Sequence, residues 1–345
     1  MLAVVLIVLL IGLLIFLLLY LRPGGFTIAG GEDKAGLRPV LTITGPGQGE
    51  QPEFGRPMSA AFGPQGRIYV TDTNNNRVAV FDRNGRFLFE FGGFGIAKPL
   101  PGYETTWEDG LFNYPLGIDV DDEGNVYVAD FRNDQIQVYD ADGEFVRRFP
   151  DPLTVVGRGS SGQDGTGIAV TDVAVHDGFV YALDSYQVVV FTLEGEFVRQ
   201  FGRPGTGPGH LDRPNGIAVA DDGTVIVADS NNNRVQAFSL EGEPLWVTGE
   251  PSLSGATMET AGVSEDGFGL PRGVAVLRDG TIVVADAFEF EIVLLSPEGE
   301  VLSRHGERGV EPGQVNFPNG VDALGNLILV ADKENDRVQV LEVVR

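Results

Sequence analysis

Short apolar runs alternate with clusters of Gly, Asp and Asn through most of the chain. VIVAD at Val225–Asp229 and VQAF at Val235–Phe238 are separated by the polar loop SNNNR and preceded by the turn DDGT. Val- and Ile-rich runs between such clusters predict β-strands joined by tight turns. The unit reads in a fixed order. A Pro-x-Gly precedes a short apolar strand, as in RPNGIAV at Arg213–Val219, and a Gly turn leads to a second strand ending in Ala-Asp. A polar loop, a third strand, a Glu-Gly-Glu turn and a fourth strand complete it.

The aspartate closing the second strand marks each copy: Asp72, Asp130, Asp184, Asp229, Asp286 and Asp332, at intervals of 58, 54, 45, 57 and 46 residues. A basic period near 45 residues with four strands per copy predicts propeller blades. The expected fold class is all-β, a six-bladed β-propeller. This pattern resembles the NHL-repeat family. The residues that carry the resemblance are the leading prolines Pro115, Pro214, Pro271 and Pro318, the Ala-Asp endings, and the loops bearing Arg77, Arg234 and Arg337. The resemblance extends from about Pro39 to Val344 and implies fold more than activity, because propellers host unrelated functions. The last copy stops after its third strand. The segment Pro39–Thr44 reads as an outer strand and is expected to complete the last blade, so that no ring seam stays open.

Antiparallel strands put the loops after strands two and four on one face, here called the top. The Asp–Asn–Arg loops and all connections between blades lie there. Asp72 and Arg77, Asp229 and Arg234, and Asp332 and Arg337 read as one structural brace per blade, the Asp capping its own loop and pairing with the Arg. One active site would not need three copies. Function is therefore expected where the repeat breaks. Blade two has Gln135 in place of the Arg, blade three has a shortened loop with Tyr186, and blade five has Phe288, Glu289 and Phe290. Long connections at Gly93–Tyr114, Pro150–Gly167 and Glu250–Leu270 also fall on the top, the first carrying Tyr103, Trp107 and Phe112. Together these predict an aromatic, acidic contact surface for a protein, peptide or glycan ligand.

The start of the chain is different material. Leu2–Leu21 carries no charge over 20 residues, enough for a helix across a bilayer. We expect a membrane anchor at 1–21, a Gly-rich tether at 22–38 and a propeller at 39–345. By analogy with other anchored propellers the propeller is expected outside the cytoplasm, single-pass and monomeric, although Arg22, Lys34 and Arg38 point weakly the other way. The net charge of -25 disfavours nucleic acid, and RNA-binding propellers of this family are basic. The absence of cysteine removes disulfides and thiolate metal sites.

The channel mouth offers the remaining chemistry. The residues following the leading prolines are Met58, Leu116, Asn215, Arg272 and Asn319. In amidating lyases of this propeller type the position carries zinc-binding histidines. Here it holds none, and His176, His210 and His305 lie elsewhere. No cofactor is expected. A Ca2+-type ion is the alternative, held by Asp119, Asp172, Asn215, Asn319 and Asp322, with Arg272 orienting an anionic substrate. That set would suit a metal-dependent hydrolase or lactonase. No serine nucleophile motif or phosphate loop accompanies it.

Overall fold

The computed structural model describes residues 36–48, 53–97, 108–150, 169–250 and 267–344. The expected anchor at 1–21, nearly all of the expected tether, and Tyr103 and Trp107 lie outside these residues. Among the described residues no helix is long and apolar enough to cross a membrane. Six four-stranded antiparallel sheets follow one another as blades. In five of them the strands run in chain order. In blade six, Gly36–Ile43 pairs with Arg337–Val344, outside Leu327–Asp332 and Pro318–Leu324. That strand begins three residues earlier than Pro39 and so takes in Gly36–Arg38, assigned above to the tether.

The sequence pattern explains the burial. Second and third strands are mostly buried, and Val225–Asp229 and Arg234–Phe238 are buried at every position, because a neighbouring blade covers each face. Outer strands alternate, as in Phe87–Gly92, because one face meets solvent. The apolar side chains form six clusters, one for each seam between blades. Ala61, Tyr69, Val78 and Val80 of blade one pack on Ile118, Val126, Val128 and Tyr139 of blade two. The last seam joins Leu329, Val338 and Val340 to Ala60, Val70 and Phe81, closing the ring with the same chemistry.

The Gly of Pro-x-Gly has a packing cause. A Cβ on Gly216 would stand 2.2 Å from the Arg272 carbonyl, and one on Gly273 would stand 2.4 Å from that of Asn319. Innermost strands approach so closely round the channel that only backbone fits between them. Blade three departs from this rule, since Asp172 takes the glycine's place and its carboxylate lies over Gly117.

The polar loop is a brace, but a different one from the capping expected. None of the four Asp residues leading the loops caps its own 3-10 turn with its side chain. Asp229 Oδ1 instead accepts from the Asp212 N–H at 2.7 Å, in the connection arriving at the blade. Its Oδ2 takes Asn232 Nδ2 at 2.8 Å, Arg234 Nε at 2.8 Å and Gln236 Nε2 at 2.9 Å. Asp72, Asp130 and Asp332 repeat the arrangement, accepting from Gly55, Asn113 and Asn316. The fourth loop position is left-handed, with φ between 48° and 53° at Asn76, Asp134, Asn233 and Asp336. Asn and Asp tolerate that region best among non-glycine residues. Three of these side chains also lock blades together, Asn233 by donating its Nδ2 to the Gly269 carbonyl. Asn76 Oδ1 accepts from the Tyr114 N–H, and Asp336 Oδ1 from the Arg56 N–H, each at 2.8 Å.

Candidate functional site at the channel mouth

The brace in turn forces a feature at the mouth. Arg56, Tyr114, Arg213 and Phe317 each precede a leading proline and have φ of 55°, 66°, 45° and 60°. The left-handed region costs roughly 1–2 kcal/mol for a residue with a Cβ. At Arg56 and Tyr114 it is held by the bonds just described, and at Arg213 by its N–H donating to the Ser185 carbonyl at 2.8 Å. The backbone at these positions repeats from blade to blade, while the side chains vary.

Two of these residues meet partners from their own blade's polar loop, and Phe317 also meets side chains of blade five. The Arg132 guanidinium lies 4.4 Å from the centre of the Tyr114 ring, and Lys333 Nζ lies 4.3 Å from that of Phe317. Phe288 packs edge-on against Phe317, with centroids 5.4 Å apart. Arg272 sits 5.9 Å from the same ring and donates to Asn215 Oδ1. Its Nε is buried without a partner, as is Asn319 Oδ1, while Asn319 Nδ2 donates to the Met58 carbonyl at 2.7 Å. Burial holds the Arg272 guanidinium below its usual pKa, with Tyr114 near enough to oppose that shift. Arg56 bonds Glu334 at 3.1 Å, and Lys333 bonds the same carboxylate at 3.1 Å.

Among the described residues the mouth combines aromatic rings with charges of both signs, Glu334 pairing with Arg56 and Lys333, and much of the acidic insert material expected to form the contact surface lies outside the described residues. Of the break residues, Phe288 and Phe290 are half-buried and Glu289 is exposed. Phe290 takes the left-handed loop position at φ 58°, under the Arg308 guanidinium at 5.2 Å. Glu289 and Glu291 replace the Asn and Arg of the brace. Poor hydration and neighbouring carboxylates raise the Glu289 pKa, and Asp286 relies mainly on the Gly269 and Leu270 N–H groups. Phe112 corrects the expectation of an exposed anchor: it is 0% exposed, wedged beside Tyr139 and Phe91 in the seam of blades one and two. Tyr186 is half-buried in the two-residue turn of blade three.

Below the mouth, a cavity of about 180 Å³ is lined by Asp119, Asp172 and Asp322 with Ser59, Ile217 and Val274. Each carboxylate bridges two inner strands. Asp119 accepts from Val120 at 2.8 Å and Val175 at 2.6 Å, and Asp322 from Ala323 at 2.7 Å and Phe62 at 2.6 Å. Asp172 accepts from Ile217 at 3.1 Å. All three are half-buried in the narrow channel, where surrounding protein leaves their charged forms poorly hydrated. The pKa rises to about 7 at Asp119 and about 6 at Asp322, and well above the ordinary value at Asp172. Mutual repulsion adds to the shift at Asp119 and Asp172. Asp119 and Asp322 stand at one depth, two residues beyond the motif glycine, and Asp172 at another. Among the described residues no three His, Asp or Glu side chains converge closely enough to hold a metal ion. The oxygen donors suit a hard cation in type, but their commitment to inner-strand N–H groups does not fit a shared coordination site.

Comparisons with known proteins agree with this architecture. The NHL repeat model matches residues 54–81, 112–139 and 211–238. Protein brain tumor of Drosophila melanogaster is 30% identical over 152 residues, 44% of this chain and 13% of that protein. Peptidylglycine alpha-amidating monooxygenase of Rattus norvegicus is 26% identical over 227 residues, 51% of this chain and 23% of that protein. The chain thus spans under a quarter of either relative. The solved structure of a gluconolactonase from Xanthomonas campestris superposes with a TM-score of 0.57 at 15% identity, covering 94% of this chain and 99% of that one. At that identity the likeness is one of fold. The chain carries NHL repeats and folds as a six-bladed β-propeller.

Proposed function

We propose that this protein is a ligand-binding propeller that recognises a protein, peptide or glycan through its top face. The observation that carries this reading is the set of four left-handed residues at the mouth. Where the backbone conformation is dictated by the fold, Asn or Gly would be least strained. The chain instead holds Arg56, Tyr114, Arg213 and Phe317 there, residue types rich in contact energy at interfaces. Strain kept at one site is a mark of function when the surroundings enforce it. The apolar Leu2–Leu21 supports a membrane tether for this platform, and the placement of the propeller outside the cytoplasm rests on analogy with other anchored propellers.

The test is a footprint. Full-length protein in detergent is screened against peptide and glycan arrays, and a retained ligand is used in hydroxyl-radical footprinting. Protection is expected at Tyr114 and Phe317 and not at Phe87 of the outer strand. Protection confined to the bottom turns or outer strands would remove the proposal.

A second reading, a hydrolase or lactonase working in the channel, is supported by the three channel carboxylates of raised pKa. It requires a divalent ion to draw Asp119 and Asp322 away from their strand partners. Elemental mass spectrometry of the dialysed full chain tests it, one ion per chain being the result it needs.

A further inference from the structure

Blades one, two and three carry a tyrosine three residues before the brace aspartate: Tyr69, Tyr127 and Tyr181. All three are at most 1% exposed, and each packs into the seam with the following blade. Two of them show that the ring fills the bottom of the seam, on the face opposite the mouth. A Cβ on Gly63, at the bottom turn of blade one, would stand 2.6 Å from Tyr69 Cε2, with Val120 of blade two at the same spot. In the next seam the Tyr127 hydroxyl donates to Asp121 Oδ2 of the bottom turn at 3.3 Å.

Blade four has Ile226 at this position, facing blade five. A cavity of about 300 Å³ occupies the corresponding place at the bottom of that seam. Its lining includes Ala220 and Val276, whose register makes them the counterparts of Gly63 and Val120. Blades five and six also have aliphatic residues there, Val283 and Leu329, but larger neighbours compensate. Leu277 stands at the Gly63 position of blade five and packs into its seam with blade six, and Phe62 stands at the Val120 position against Leu329. In the seam of blades four and five all three positions are small, so the space of a ring stays open.

The rim of this cleft carries Asp221, Asp222 and Asp279 against one cation, Arg278. Asp221 and Asp222 are exposed. Asp222 accepts from the Thr224 N–H at 2.9 Å, which holds its pKa below the ordinary value and keeps it charged. An aliphatic floor of ring size favours burial of an apolar ring. Carboxylates at the opening favour a cation on that ring, since charged hydrogen bonds are the stronger ones.

We infer that this bottom cleft binds a small aromatic amine, its ring in the position of the seam tyrosines and its ammonium group at Asp221 and Asp222. The site lies away from the mouth and does not rest on the top-face reading. An aromatic acid of the same shape would meet like charges and be repelled.

The test is calorimetric titration of the full-length protein in detergent at low salt with tyramine. The anion 4-hydroxyphenylacetate and the ringless n-butylamine serve as comparisons. Tyramine should bind saturably, with each comparison at least tenfold weaker. Ile226→Tyr supplies the ring that the first three blades have. It should abolish tyramine binding while the unfolding midpoint holds or rises. Should that variant fold poorly, the paired exposed changes Asp221→Asn and Asp222→Asn keep the fold and should weaken tyramine at least fivefold. Absent tyramine binding, equal binding of the aromatic acid or of butylamine, or undiminished binding by both variants overturns the inference. Array ligands held at the mouth should be indifferent to both variants, which separates this site from the top-face reading.

Discussion

Replacing Arg234 by Gln would convert the blade-four loop to the arrangement that blade two already has. Arg234 is 2% exposed, and besides Asp229 its guanidinium serves three carbonyls, Thr206, Gly207 and His210. Gln can restore the contact to Asp229, as Gln135 does to Asp130 at 3.0 Å, but cannot reach all three carbonyls. Breaking a buried pair from one side costs about 3–5 kcal/mol, and the retained amide bond should bring this to about 2–4. The loss should also depend on pH. Asp130, enclosed and met only by neutral donors, has its pKa raised by poor hydration from 3.8 to about 6. An acid shifted upward on folding contributes stability that is full below its unfolded pKa and lost as pH rises through the folded one. A shift of about 2 units is worth about 3 kcal/mol when complete. If Asp229 in the variant approaches the state of Asp130, the penalty should grow by about 1 kcal/mol between pH 5 and pH 7.5. Urea unfolding of the full chain, followed by tryptophan fluorescence at both pH values, measures it. A penalty that is constant or shrinks with rising pH would refute the reasoning, as would a stabilised variant.

Further outcomes follow from the same structure. Gly216→Ala should lower stability by about 1–3 kcal/mol in thermal unfolding, because its Cβ meets the Arg272 backbone at 2.2 Å. Arg213→Asn should raise stability by about 0.5–1 kcal/mol, since Arg213 is exposed and left-handed, while reducing ligand retention on the arrays. In the wild type, stability should fall as pH rises through about 6 and about 7, where Asp322 and Asp119 ionise. Paired Asp119→Asn and Asp322→Asn substitutions should flatten that fall, and a stability that rises with pH in this window would contradict it.

Much of the fold was legible because each brace is local or periodic. Six aspartates in phase, the glycine of Pro-x-Gly and a lone outer strand at the start each have a repeated packing cause. The role of the aspartate was less legible. Oδ1 of Asp229 binds a connection 17 residues upstream, and spacing along one loop cannot show that. Phe112 lies in an insertion rich in other aromatics, so its burial in a seam had no sequence signal beyond its place three residues before Pro115. Left-handed backbone at Arg56, Tyr114, Arg213 and Phe317 leaves no mark in composition, because bulky residues stand where glycine would be the signature. The charged rim of the mouth joins residues as far apart as Arg56 and Glu334 that only ring closure unites. An X-Pro motif whose X varies between Arg, Tyr and Phe while its neighbours repeat was the available clue.

The platform reading is tested most directly by comparing array binding of the wild-type full chain with two variants. One, Arg213→Ala with Phe317→Ala, strips the mouth. The other, Arg83→Ala with Asn84→Ala, alters a bottom turn of blade one. The account predicts that ligands retained by the wild type are retained by the bottom-turn variant and lost by the mouth variant. Retention by the mouth variant, with loss from the bottom-turn variant, would contradict it.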